Sequence, residues 1–90
     1  MPIVRLPRHL IHQLSVPSAC HATGSTVAEV LEDIERRFPG VRDYVVDNGG
    51  TLRQYVNIFI GEQWVQDRKG LSDAVEEADE ITVMQALSGG

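Results

Sequence analysis

The chain has 90 residues, of which 42% are hydrophobic and 23% charged, and its formal net charge is −5. The length predicts one domain, and the composition is typical of a globular protein rather than a disordered one. The negative charge argues against a nucleic-acid-binding surface, which needs clustered Lys and Arg. The single cysteine, Cys20, cannot form an internal disulfide, and the N-terminus has no long apolar run. We therefore expect a cytoplasmic protein without a signal peptide or a membrane span.

Two short strands are predicted in the first part of the chain. IVRLP alternates, so that Val4 and Leu6 face one way, and Pro7 ends the pairing. The following RHLIHQLSVPS has no clear period, and we expect a loop there with at most one helical turn. ACHAT is predicted to be the second strand, with Cys20 and Ala22 on one face.

The segment TVAEVLEDIERRFPG carries the clearest helix signal. Thr26 and Glu29 have the spacing of a capping box, in which each side chain satisfies a backbone N–H at the helix start. Pro39 and Gly40 end the helix, and one further helical turn is expected over residues 41–45. The apolar residues fall at helical spacing and make one stripe that is expected to pack on a sheet: Val27, Val30, Leu31, Ile34 and Phe38.

The second half of the chain is predicted to contribute three strands. VNIFI at residues 56–60 has the alternation of a strand. Gly61 and Glu62 fit a two-residue hairpin of the type that begins with Gly, and a short strand then returns over residues 63–66. After an irregular acidic segment, ITVMQAL at residues 81–87 is the last strand.

The predicted order of elements is strand, strand, helix, strand, short strand, strand. A mixed sheet with one helix across one face accommodates this order, with the first and last strands adjacent and parallel at its centre. This is the α+β arrangement called the β-grasp, or ubiquitin-like, fold. We expect a β-grasp domain over residues 1–87 and a flexible Ser-Gly-Gly tail over residues 88–90.

No catalytic or metal-binding constellation is predicted. His9 and His12 fall in the expected loop, and Cys20 and His21 would point to opposite faces of a strand, so we expect no metal site. The acidic cluster at residues 76–80 lacks the spacing of a calcium loop. No nucleophile elbow and no phosphate-binding loop are present in the sequence. We therefore expect that the protein is not an enzyme.

The chain ends in Ser88, Gly89 and Gly90 directly after the last predicted strand. A terminal Gly-Gly can arise by coincidence or as an artificial end. Glycine, however, packs nothing and is costly to order, whereas a tail without side chains can enter a narrow site on another protein. The carboxylate of Gly90 would then be the only reactive group, with Gly89 and Ser88 recognised beside it. The sequence leaves open whether Gly90 is the natural end or is exposed by trimming.

The stretch VNIFIGEQWV…GLSDAVEEADEITVMQALSGG resembles the ubiquitin-like sulfur carriers. This family includes the small subunit of molybdopterin synthase, the thiazole-synthesis carrier ThiS and the cysteine-synthesis carrier CysO. Residues 2–6 and 26–40 fit the same pattern, although only the terminal Gly-Gly is diagnostic. The chain has Gly61-Glu62 where the family often has Asn-Gly, and Ala78 where it often has Gly. Both departures affect turn geometry and not chemistry.

The resemblance implies a carrier that binds no cofactor of its own. A ubiquitin-activating-like adenylating enzyme would use ATP to convert the Gly90 carboxylate to an acyl-adenylate. Sulfur would then displace AMP to leave a thiocarboxylate, from which a synthase would take the sulfur for cysteine, molybdopterin or another sulfur-containing metabolite. The chain itself would be a co-substrate or the small subunit of such a synthase. Two alternatives stay open: a ubiquitin-like modifier joined to lysines, and an interaction module with an incidental tail.

A docking surface for these partners is predicted on the face of the sheet that the helix leaves open. Phe59 points away from its inward-facing neighbours on the strand, and Met84 points away from Ile81 and Val83 in the same manner. Trp64, just after the hairpin, is expected to join them, and Leu87 lies at the root of the tail. The resemblance also implies an apolar patch here. The alternative is that these side chains form a small satellite core beneath the loop of residues 8–18.

Overall fold

The structure is a computed structural model that describes residues 1–85. The predicted continuation of the last strand to residue 87 and the tail over residues 88–90 lie outside the described residues. The elements in chain order are β1 (Ile3–Arg5), α1 (Arg8–Leu14), β2 (Ala19–His21), α2 (Val27–Arg37), α3 (Val41–Val45), β3 (Val56–Ile60), β4 (Gln63–Trp64) and β5 (Glu80–Gln85).

The strands form one mixed sheet in the order β2-β1-β5-β3-β4. β1 and β5 are parallel neighbours, with Val4 opposite Ile81. The remaining pairs are antiparallel, and in the β3–β5 pair Ile58 lies opposite Val83. The predicted β-grasp topology, with the first and last strands adjacent and parallel near the centre, is therefore confirmed.

One face of this sheet is covered by the helices. The inward residues of the strands and the apolar stripes of the helices belong to a single buried cluster, so the helices all pack on the same side. Within residues 1–85, no helix is both long and apolar enough to cross a membrane. The fully buried members of the core with the largest side chains are Leu10, Ile34, Ile58 and Ile81, followed by Val4, Val27, Val30, Val41, Val45, Val46 and Val83.

The start of α2 has the predicted cap. The Thr26 hydroxyl accepts a hydrogen bond from the backbone N–H of Glu29 at 3.2 Å, and the Glu29 carboxylate accepts one from the backbone N–H of Ser25 at 2.8 Å. Just before this cap, Gly24 lies against the helix backbone with a φ of +151°, and a Cβ there would come within 2.7 Å of the Val30 nitrogen. The first turns of α2 thus pack closely against the preceding segment of the chain.

Residues 8–14 form a helix, and the expectation of a loop was wrong. Pro7 precedes α1 in an extended conformation, and Ser15 ends it in the left-handed region at φ 55°. Leu10 is fully buried, and Ile11 and Leu14 pack against the same core. Seven residues are too few for a stable helix in isolation, so this burial stabilises α1.

The strand after the hairpin is shorter than predicted. Gly61 adopts a φ of +63°, in agreement with a hairpin that begins with Gly. β4 nevertheless ends at Trp64 rather than continuing to residue 66. The backbone N–H groups of Gln66 and Asp67 donate to the Asp73 carboxylate at 2.9 and 2.8 Å, which draws the chain away from β3.

Candidate functional site

The open face of the sheet carries the aromatic and sulfur-containing side chains that the helices do not cover. Phe59 on β3 lies opposite Trp64 on β4 and opposite Thr82 on β5, and Asn57 lies opposite Met84. Directly opposed residues project to the same face, so these five side chains form one surface. Trp64 is 55% exposed and Met84 is 46% exposed.

Phe59, Trp64 and Met84 surround a shallow groove. The rings of Phe59 and Trp64 meet edge to face with their centroids 4.2 Å apart, a favourable arrangement for an aromatic pair. The groove has a volume of about 150 Å³ and is completed by Asn57 and Gln85. The structure therefore brings together three of the four predicted docking residues, and none of the groove's lining comes from residues 8–18, where the satellite core was expected.

Asn57 places a hydrogen-bond donor in this apolar groove. The Arg68 guanidinium donates to Asn57 Oδ1 at 2.6 Å. Because a guanidinium can only donate, the amide oxygen must face Arg68, and the Nδ2 group is turned away from it. Arg68 is itself held by the carbonyl oxygens of Arg53 and Val56, at 3.0 and 3.1 Å. Asn57 was not among the predicted site residues, although it shares the two-residue period of Phe59.

The part of the open face nearer β1 carries an ion pair. Arg5 on β1 projects to this face opposite Thr82, and its guanidinium lies 3.2 Å from the Glu80 carboxylate. Both side chains are about half exposed, at 52% and 50%, so the pair contributes little to stability. On the open face, the apolar groove at β3 and β4 is therefore accompanied by an ion pair between β1 and β5.

The last described residue, Gln85, is tied to the helical layer. The Tyr44 hydroxyl on α3 donates a hydrogen bond to Gln85 Oε1. The ring of His9 on α1 lies beside Tyr44, with the ring centroids 6.1 Å apart. Burial raises the pKa of Tyr44, so its hydroxyl remains protonated and able to donate. The predicted tail residues Ser88, Gly89 and Gly90, together with Leu87, follow Gln85 outside the described part of the chain.

The candidate metal ligands are not brought together. His9 and His12 lie on α1, whereas Cys20 and His21 lie on β2. Between residues 1 and 85, no group of three His, Cys, Asp or Glu side chains is arranged to hold a metal ion. Cys20 is partly exposed on the helix side of the sheet, and burial is the main cause that raises the pKa of its thiol. A thiol with a raised pKa is a weak nucleophile at neutral pH.

The similarity of the sequence to known proteins covers almost the whole chain. The sequence model of the ThiS family matches residues 10–90. The sulfur carrier protein CysO of Mycobacterium tuberculosis (strain ATCC 25618 / H37Rv) is 28% identical over 89 residues, which cover 97% of this chain and 96% of that protein. Both comparisons extend over nearly the full length of the domain described above.

Solved structures show the same fold. The chain is similar to CysO in the crystal structure of the Amycolatopsis orientalis BexX/CysO complex, with a TM-score of 0.87, 27% identity and full coverage of both chains. Mycobacterium tuberculosis CysO, described as an antigen, gives a TM-score of 0.86 at 26% identity, over 97% of this chain and all of that one. Small archaeal modifier protein 1 from Methanosarcina acetivorans gives a TM-score of 0.79, covering 99% and 95% of the two chains, but at 22% identity it supports the fold alone.

Proposed function

Because the chain belongs to the ThiS family and is a sulfur carrier, we propose that the carboxylate of Gly90 is the group that takes up the sulfur. The observation that carries this proposal is the family match, which runs through the Ser-Gly-Gly segment to residue 90. Gly89 and Gly90 have no Cβ, so a partner can enclose their backbone in a narrow channel.

The proposed chemistry needs two steps on this carboxylate, and a partner enzyme catalyses both. A carboxylate oxygen first attacks the α-phosphorus of ATP, which releases pyrophosphate and leaves an acyl-adenylate. A sulfide equivalent from a donor then attacks the acyl carbon, the bond to the AMP oxygen breaks, and a thiocarboxylate remains. Activation is required because a free carboxylate is a poor electrophile. On this proposal the chain is a carrier rather than an enzyme, and ATP binds to the partner.

We propose that the groove on the open face docks the body of the domain onto these partners. Phe59, Trp64 and Met84 provide exposed apolar area, and aromatic side chains of this kind commonly dominate binding energy at interfaces. Asn57 Nδ2 adds a donor of fixed orientation for an acceptor on the partner. The crystal structure of the BexX/CysO complex includes a similar chain together with another protein, which supports a partner-binding role. The partners we propose are an adenylating enzyme and a sulfur-accepting synthase.

Cysteine biosynthesis is the proposed destination of the sulfur. The support is the similarity to proteins named CysO over nearly the full length of the chain. A cytoplasmic location remains a proposal that rests on the single cysteine.

Intact mass spectrometry tests the proposed function. The full chain is incubated with its adenylating enzyme, ATP and a sulfide source, and its mass is expected to rise by the difference between sulfur and oxygen. A chain that lacks Gly90 is the control and should show no change. An unchanged mass for the full chain with the correct enzyme would contradict the proposal. Adducts to lysines of other proteins would favour the modifier function instead.

A further inference from the structure

Tyr44 and Gln85 connect two layers of the domain at the place where the described chain ends. Tyr44 lies on α3, in the helical layer, and Gln85 is the last residue of β5, in the sheet. Their hydrogen bond joins residues 41 positions apart in the sequence. Gln85 is also held in the ladder with β3, where it lies opposite Val56. The backbone and the side chain of Gln85 are thus fixed by different neighbours.

The second tyrosine of the chain, Tyr55, gives a contrast. Its side chain is 54% exposed, and within residues 1–85 its hydroxyl makes no hydrogen bond. Tyr44 is instead partly buried against the core, and the ring of His9 lies beside it. The ring of Tyr44 therefore packs against the core, whereas its hydroxyl makes a hydrogen bond to Gln85 alone. Removal of the hydroxyl tests the second role while the ring preserves the first.

The position of Gln85 matters because the reacting carboxylate lies only five residues further along the chain. Five residues span at most about 17 Å, so the direction in which the chain leaves Gln85 restricts where the carboxylate can be. A reacting group that is confined near its target has a high effective concentration there. A root that is free to pivot would distribute the same carboxylate over a larger volume.

We propose that Tyr44 is a positioning residue for the activation of Gly90, and that it acts by fixing the side chain of Gln85 at the root of the C-terminal segment. This inference rests on the proposed function. Tyr44 itself touches neither ATP nor the reacting atoms. Tyr44 lies in the helical layer and does not line the docking groove, although Gln85 does. Removal of the Tyr44 hydroxyl leaves Phe59, Trp64 and Met84 in place, so we expect it to affect the reaction more than docking.

The test separates kcat from KM in the adenylation reaction, with the intact carrier as the varied substrate. Tyr44→Phe is expected to lower kcat about three- to tenfold, the size that the loss of one hydrogen bond implies, and to leave KM within about twofold. Tyr55→Phe is the matched control and should change neither value. An unchanged kcat for Tyr44→Phe, or a rise in KM with no fall in kcat, would overturn the inference.

A double mutant shows whether Tyr44 acts through Gln85. Gln85→Met keeps the length of the side chain but replaces the amide oxygen with a thioether, whose sulfur is only a weak acceptor. Adding Tyr44→Phe to Gln85→Met is expected to lower kcat no further, because both substitutions remove the same contact. Multiplicative losses would overturn the role of Gln85. If the wild-type chain is activated normally and Tyr44→Phe retains its kcat, only this inference fails. If the wild-type chain is never activated, the proposed function fails as well.

Discussion

The two faces of the sheet use apolar side chains in different ways, and β3 shows this within two consecutive residues. Ile58 is fully buried beneath the helices, whereas the adjacent Phe59 projects to the open face and lines the groove. On the covered face, apolar side chains stabilise the fold, and function requires nothing further of them. On the open face, Phe59, Trp64 and Met84 retain accessible area that folding does not use. The apolar side chains that remain accessible after folding therefore mark the candidate site.

The largest expected effect comes from truncating the covered face. Ile58→Ala should lower the free energy of unfolding by about 3–5 kcal/mol, because it leaves a cavity in a closely packed core. Phe59→Ala removes a larger side chain but should cost only about 1 kcal/mol, since the ring is only partly buried and packs against Trp64 rather than within the core. Denaturant unfolding of both variants measures the difference. Equal losses would mean that the open face is part of the core.

The close contact between α2 and the chain that precedes it can be tested at Gly24. Gly24→Ala should cost about 2–3 kcal/mol, because the new Cβ would meet the helix backbone at Val30 and Glu29. Gly61→Ala is the matched control: its φ is also positive, but no atom lies within 4 Å of the new Cβ. We expect a loss of about 1 kcal/mol there, from the left-handed backbone alone. Similar melting temperatures for the two variants would contradict the close contact.

A smaller loss of stability, which depends on pH, is expected from the loop after β4. This loop belongs to neither face of the sheet. Hydrogen bonds from the backbone N–H of Gly70, then from Ser72 and Lys69, lower the pKa of Asp67 from 3.8 to about 2. A carboxyl with a lowered pKa stabilises the fold above its unfolded value, and this contribution is lost as the pH falls from 3.8 to about 2. Between pH 3.8 and about 2, the free energy of unfolding should therefore fall less steeply for Asp67→Asn than for the wild-type chain.

The variant Ser72→Ala refines the measurement at Asp67. The Ser72 hydroxyl donates to the Asp67 carboxylate at 2.7 Å, so its removal should raise the pKa of Asp67 toward the ordinary value. The loss of stability should then begin and end at a higher pH than in the wild-type chain. A profile for Asp67→Asn that matches the wild-type one would show that this carboxylate does not contribute.

Substitutions in the groove on the open face should weaken binding more than they lower the free energy of unfolding. Trp64→Ala is expected to weaken binding to the adenylating enzyme by about 1–3 kcal/mol, while the free energy of unfolding falls by about 0.5–1 kcal/mol. Met84→Ala should behave in the same way. Tyr55→Ala removes an equally exposed aromatic residue outside the groove and should leave binding unchanged. Calorimetric titration gives the affinities. Unfolding by Trp64→Ala, with unchanged affinity of the folded fraction, would identify Trp64 as a core residue.

The smallest effect on stability is expected at the end of the chain. Deletion of Gly89 and Gly90 should change the free energy of unfolding by less than about 0.5 kcal/mol, because these residues follow the last strand and have no side chains to bury. The same deletion should abolish activation completely. Thermal unfolding and the mass assay measure the two effects. A large fall in melting temperature would mean that the tail is structural.

The sequence was sufficient for features that depend on local period and turn chemistry. Thr26 and Glu29 predicted the start of α2, and Gly61 predicted the hairpin. The alternation along VNIFI assigned Ile58 and Phe59 to opposite faces. With the order of elements, these patterns were enough for the β-grasp topology and for the groove around Phe59. The α1 helix was missed because its signal is a short apolar stripe that becomes stable only when Leu10 is buried.

Contacts between side chains that are distant in sequence could not be predicted in this way. Arg68 reaches Asn57 across 11 positions, and Tyr44 reaches Gln85 across 41. Each contact depends on how a loop or a short helix lies against the sheet, and no period within one segment carries that information. The polar component of the candidate site was therefore found only in the structure.

The parallel pairing of β1 with β5 has a consequence for synthesis. Ile3 lies beside Glu80, so the centre of the sheet forms only after almost all of the described chain has been made. Pairing over such a sequence separation closes a long loop and is a slow step in folding. β5 also supplies Met84 to the open face, so the groove does not exist before this step. An activating enzyme that docks on the groove would consequently distinguish folded carriers from released but unfolded chains, even though both carry the same terminal glycines.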